Sequence, residues 1–206
     1  LNLNSEIDEI VIDNGRATGV RLPDGTVHQA DEVVCNADVA FAYKKMIASQ
    51  HRPRKLDLYM DTLSYSNSLV VIYFGTKRRY LDSQLSHHNI IFSKNYRKLL
   101  RDIFKNKPLS DDLCLYLHMP TYTDSSIAPE GCESFYVLSL VPHLDADINW
   151  KEIGPEYNDR VLGFLEKNYL PDLRKDIIAQ QRINPVHFND TLNSHIGQAF
   201  SVKPSL

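Results

Sequence analysis

The residue types best suited to chemistry sit in the middle of the chain. Eight histidines occur in 206 residues. His118 and His143 each close an apolar run, and Asp124 and Glu130 lie in the polar stretch between those runs. Brought together, such groups could carry a proton to or from a reacting carbon. They could also hold a metal, but no pair has zinc-like spacing, so no metal is expected. His87 and His88 are adjacent, and on a regular strand they would face opposite ways. The plainer expectation is that these are hydrogen-bonded or solvated loop residues. Gly15-Arg-Ala-Thr-Gly19 follows a turn and precedes a strand, so it cannot present a helix N-terminus to phosphate. No P-loop, H-E-x-x-H or G-x-S-x-G occurs.

Two basic clusters stand out, His51 to Lys55 and Lys77 to Arg79. An anionic membrane surface would attract each such residue by about 1 kcal/mol. Solvated loop charge is the commoner origin of these clusters. Nucleic acid is not expected, because net charge is −3 and aromatic residues do not interleave the basic ones. Tyr65, Tyr73, Tyr116 and Tyr136 lie on or beside strand-like segments. They read first as sheet and core residues, and they would also suit a long apolar cavity.

The elements that must position these groups follow from pattern. Residues 1–38 read as a meander, with turns at Asp13-Asn14-Gly15 and Pro23-Asp24-Gly25. It feeds a short apolar run, Val33 to Cys35, suited to a buried strand. Asp38 could cap a helix over Val39 to Gln50. Residues 51–65 read as a polar, basic connection. Ser66 to Phe74 is a strand stopped by Gly75, and Asn89 to Phe92 is a short one. Over Lys94 to Asn106, Tyr96, Leu99, Leu100, Ile103 and Phe104 form one helical face, with Ser93 as cap. Leu113 to Met119 and Ser134 to Val141 are strands around a polar loop, Thr121 to Gly131. Pro155 and Pro171 each open a helix, to about Tyr169 and Gln180. Residues 181–188 form an edge strand broken by Pro185.

Composition sets the class. Apolar residues are 43% and charged residues 24%, which excludes disordered and fibrous chains. The three cysteines make an odd count without a C-x-x-C pair, so a disulfide framework is not expected and a reducing cytoplasm fits. No apolar run approaches the 18 residues or so of a spanning helix. The chain begins at Leu1 without Met on strand-like sequence and ends at Leu206 without a closing helix. It reads as an excised segment of α+β class, whose meander and larger middle belong to different domains.

Six stretches together resemble the bacterial-type phytoene desaturase (phytoene dehydrogenase) family. They are ADEVVCNADV at 30–39, SNSLVVIYFG at 66–75, LSHHNIIF at 85–92, LCLYLHMPTYTDSSIAPEG at 113–131, FYVLSLVPHL at 135–144 and LNSHIGQAFSVKP at 192–204. The likeness runs in order over nearly the whole chain. It implies the fold of a two-dinucleotide-binding-domain flavoprotein, like the amine oxidases, of α/β parentage. Residues 1–38 would then be part of the FAD domain, 39–190 the substrate domain, and 191–206 the start of the return. The family's N-terminal G-x-G-x-x-G and its glycine-rich C-terminal segment have no counterpart here. By analogy with related flavoproteins, Ile7 in LNSEI would meet the adenine through its backbone, and Asn36 would lie at a ligand-binding strand end.

The implied reaction removes hydrogen across saturated C–C bonds of a long polyene, with FAD taking a hydride equivalent. The substrate lacks polar groups, so recognition must come from apolar burial at about 25 cal/mol per Å². That implies a long tunnel opening on the cytoplasmic face of the membrane. The Leu69–Phe74, Leu113–Met119 and Phe135–Val141 strands and the Lys94–Asn106 helix would line it. Asp124, Glu130, His118 and His143 are the catalytic candidates. The competing readings are a diapophytoene or methoxyneurosporene desaturase, a carotenoid isomerase, and a non-enzymatic module binding an apolar ligand or a membrane. No turnover is expected from these residues alone.

Overall fold

The computed structural model describes residues 1–106 and 108–203. The last part of the expected returning segment, 204–206, lies outside the described residues. The chain divides into two compact units. The first holds Leu1–Ser66, Leu192–His195 and the tail from Phe200, and the second holds Asn67–Thr191 and Ile196–Ala199. The boundary between these compact units falls at Ser66. Residues 39–66 fold onto the meander's unit, because their elements are short and bury little of their own.

In the first unit, β1 (Glu9–Asp13), β2 (Arg16–Arg21) and β3 (Val27–Gln29) form an antiparallel meander in that order. Asn14 and Gly15 both take positive φ between β1 and β2, as the sequence turn requires. Val33 to Cys35 is not a strand, and Val34 is 94% exposed. Three apolar residues make a strand only where a neighbour accepts their ladder, and none does among the described residues. Asp38 caps as expected, accepting from the Ala40 and Phe41 amides. The helix it starts, α1 (Val39–Phe41), is short and widens into a π turn over Ala42–Met46. The basic connection contains a helix, α2 (Arg54–Thr62), which buries Met60. Its charge density hid that single buried position.

The second unit is built on a five-stranded antiparallel sheet. Its strands are β4 (Ser68–Thr76), β5 (His88–Ile91), β6 (Leu115–His118), β7 (Glu133–Val141) and β8 (Ile177–Ile183). They lie in the order β5-β6-β7-β4-β8. Gly75 does not stop β4, which stays paired with β7 through Thr76 opposite Glu133. Strand β7 alternates buried and half-buried residues along its whole length. Its odd positions, Phe135, Val137 and Val141, join Ile72, Phe74, Leu115 and Leu117 in the core. Helix α4 (Trp150–Asn168) closes that face with Tyr157, Val161, Leu162 and Leu165. It begins five residues before Pro155, because buried Trp150 anchors a turn ahead of the proline.

Two expected elements change type. Pro171 leads into only a short helix, α5 (Leu173–Asp176). Ile177 onward pairs with β4 instead, since β-branched residues at an open sheet edge gain more from the ladder than from a helix. After β8, Asn184 accepts from the Val186 and His187 amides and starts α6 (Pro185–Asp190) in place of a broken strand. Helix α3 (Tyr96–Arg101) is capped by Asn95, not Ser93, and continues as a π turn over Asp102–Asn106. Leu99 and Ile103 bury as expected, against Cys114 and Leu140 on the sheet face away from α4.

Candidate functional site

Strand parity places Cys114, Tyr116 and His118 on the sheet face away from α4, together with Tyr136, Leu138 and Leu140 of β7. Helix α3 covers one end of that face. The other end is open. Register sets Tyr136 opposite both Tyr73 and His118, and His88 opposite His118. The rings touch in sequence: Tyr73 to Tyr136 at 5.8 Å, Tyr136 to Tyr116 at 5.8 Å and Tyr136 to His118 at 4.6 Å. Tyr73 is 44% exposed and Ile90, opposite Tyr116, is 65% exposed. Burial, then a hydrogen bond shared with Tyr116, raises the Tyr136 phenol above its ordinary value. The face is predominantly aromatic, with tyrosine hydroxyls and the His118 imidazole upon it.

Tyr73 also lines an open cleft of ≈ 530 Å³ beside this face. Its other walls come from Ile127, Ala128 and Pro129 of the polar loop and from Ile178 and Ala179 of β8. The loop is fastened beneath by Glu133, which is 1% exposed. That carboxylate accepts from the Thr121 hydroxyl and, at 3.0 Å, from the Tyr80 amide, and lies 3.6 Å from the Arg79 guanidinium. The strands expected to line a tunnel present an open trough on this side, because α4 fills one face and α3 only part of the other.

The four catalytic candidates do not converge. His118 ends β6 beside Tyr136, whereas His143 lies beyond the far end of β7, roughly 20 Å away at about 3.3 Å per strand residue. Asp124 caps a 3₁₀ turn and accepts from the Ser126 amide and hydroxyl at 2.9 and 2.6 Å. Those bonds hold its carboxyl below the usual carboxylate value. Both bonds fall on Oδ1 and hold the carboxylate in the turn, which suits a capping residue. Glu130 is exposed in the same loop. Among these candidates only His118 faces the trough, and burial, followed by the neighbouring His87 and His88, pushes its imidazole below its ordinary value. His87 and His88 do not face opposite ways. Strand β5 begins at His88, so His87 lies outside the alternation and turns its ring onto His88 and His118, at 4.2 and 4.6 Å between centroids.

The basic cluster Lys77 to Arg79 is not free charge. Arg78 and Lys77 lie 2.6 and 3.6 Å from the buried Asp176 carboxylate, and Arg79 serves Glu133. The flavin contacts expected of Ile7 and Asn36 fall on coil ahead of β1 and on exposed coil after Val34. A flavin pyrophosphate needs successive backbone amides at a glycine-rich helix start, and the chain has no such cradle. These residues alone do not fit FAD.

The fold recurs in solved structures of low sequence identity. A protein from Pyrococcus furiosus superposes over 87% of this chain with a TM-score of 0.53 at 15% identity, across 36% of its own length. An oxidoreductase from Methanosarcina mazei matches over 87% of the chain with a TM-score of 0.50 at 16% identity, across 37% of its length. No protein-family model matches the chain. Sequence similarity is far stronger than structural likeness alone. The lycopene-forming phytoene desaturase of Pseudescherichia vulneris is 44% identical over 100% of the chain and 42% of that protein. The lycopene-forming enzyme of Pantoea ananas is 39% identical over 99% of the chain and 41% of its length, and the neurosporene-forming one of Rhodobacter capsulatus 37% over 100% and 40%. Over its whole length the chain is similar to phytoene desaturases, and it spans about two fifths of the length of these relatives.

Proposed function

We propose that the chain is the substrate-side part of an FAD-dependent carotenoid desaturase, which removes hydrogen across C–C bonds of a long apolar polyene. The observation that carries this is the aromatic face of Tyr73, Tyr116 and Tyr136 beside a largely apolar cleft that Tyr73 lines, in a chain whose relatives are carotenoid desaturases. A hydrocarbon offers no hydrogen bond, so its bed must be largely apolar, and the aromatic end of this sheet supports that reading. The FAD would be held by parts of a full-length protein that these residues do not include. Contact with the membrane that stores the polyene would give the substrate its entry. No described helix is long and apolar enough to cross a membrane, so that contact would be peripheral.

A chimera tests the reading. The corresponding two fifths of the Pantoea ananas enzyme is replaced by this chain, and pigments are extracted from phytoene-producing cells. Lycopene or neurosporene is the expected product, and its desaturation level separates the sibling activities. Phytoene left unconverted by a folded chimera that has taken up FAD would overturn the proposal.

A further inference from the structure

Three imidazoles meet at the edge of the sheet. Ligand atoms of His87, His88 and His118 all lie within 4.8 Å of one another. Register produces this convergence, because His88 and His118 are directly opposed across β5 and β6. His87 joins them from just outside β5, its ring held by an outer partner: Nδ1 lies 2.5 Å from Thr123 Oγ1. His88 is held the same way, with Nδ1 2.7 Å from Tyr116 Oη. With the Nδ1–H donated to an oxygen in each case, both rings keep the Nε2 lone pair for a ligand. Such outer hydrogen bonds are how metal-binding histidines are oriented. His118 completes the set. Its Nε2 lies 2.6 Å from His87 Nε2, and its buried Nδ1 has no hydrogen-bond partner.

We propose that His87, His88 and His118 form a binding site for a divalent transition ion of the zinc class, with its fourth position open. Imidazole nitrogens without any carboxylate disfavour calcium and magnesium, which take oxygen ligands. Tetrahedral zinc with Zn–N of about 2.0–2.1 Å sets ligand nitrogens about 3.3 Å apart, so His87 and His118 must part by several tenths of an ångström. Half-exposed His87 and exposed His88 have the room to do so. The ion would pin the short edge strand β5 to β6. The site stands on side-chain geometry and does not rest on the desaturase reading.

The test uses the whole chain, stripped with chelator and titrated calorimetrically with zinc chloride alone. One ion per chain is expected. His88→Gln and His118→Ala should each weaken binding at least tenfold. Tyr116→Phe, which removes an outer oxygen, should weaken it about tenfold. His28→Gln and His187→Gln, remote histidines, should leave it unchanged. Cobalt(II) should give the intense visible bands of a tetrahedral nitrogen site, lost in His88→Gln. His88 is exposed, so that variant keeps its fold, and its circular dichroism verifies this. Absence of one-to-one uptake by the unmodified chain, or uptake that survives His88→Gln and His118→Ala, would overturn the proposal.

Discussion

Two carboxylates carry more of the second unit than any proposed catalytic residue does. Glu133 satisfies the Tyr80 amide, the Thr121 hydroxyl and the Arg79 guanidinium from a fully buried position. Removing one partner of a buried pair leaves the others desolvated and uncompensated, at about 3–5 kcal/mol. Glu133→Ala should therefore lower unfolding stability by about 3 kcal/mol in urea, and a loss below about 1 kcal/mol would show that the network is solvated in solution. Asp112 works at the surface. It accepts from the Ser93 hydroxyl at 2.6 Å and the Asn95 amide at 2.9 Å, gathering the turn ahead of α3. The Ser93 hydroxyl holds its carboxyl below the ordinary value against the opposing effect of burial, with smaller help from the Asn95, Lys94 and Leu113 amides. A folded value below the unfolded one means that this stabilisation is present above about pH 4 and fades as pH falls through the folded value. The thermal midpoints of the unmodified chain and Asp112→Asn should differ at pH 7 and converge toward pH 3. A difference that stays constant across that range would remove the linkage.

At the scale of elements, the sharpest constraint is the return of the chain at Gly197. Its φ is +66°, and a Cβ there would sit 2.2 Å from the Pro185 carbonyl oxygen. Its own carbonyl accepts from the buried Ser68 hydroxyl at the start of β4. Gly197→Ala must therefore move backbone against backbone, and about 2 kcal/mol of lost stability is expected from such overpacking, read from the urea midpoint. Ala at this position with an unchanged midpoint would mean the return is soft. Elements with strict alternation or a full helical face were legible in the sequence: β7, β6, α3 and α4 all formed, with ends moved by a few residues. Elements whose type depends on a distant partner were not. Ile177 to Gln180 reads as the end of a helix until β4 offers its edge, and Val33 to Cys35 reads as a strand until no edge is offered. The site shows the same limit. His118 and the tyrosines were visible as residues, but their meeting depends on the β5–β6–β7 register, which no local pattern encodes. His87 was misjudged because alternation was carried one residue past the start of its strand.

For the molecule as a whole, the question is how a largely aromatic surface could direct the proposed reaction at one bond of a polyene. Specificity on such a bed comes from length and shape, because every methylene gains about the same on burial. On the proposed reading, the face would fix how far the polyene slides, with the reacting atoms elsewhere. Contacts of this kind are equal in the ground and transition states, so losing one should raise KM and leave kcat nearly unchanged. Tyr136 is the ring at which the row turns, touching Tyr73, Tyr116 and His118. Tyr136→Ala would remove roughly 50 Å² of apolar contact, about 1.3 kcal/mol, or about a tenfold rise in KM. The measurement is phytoene consumption by the chimera in liposomes of graded phytoene content, with folding and FAD content matched. A tenfold higher half-saturating content with the same maximal rate supports the bed. A loss confined to the maximal rate would put Tyr136 beside the reacting carbons instead, and no change in either would mean that the polyene lies on another surface.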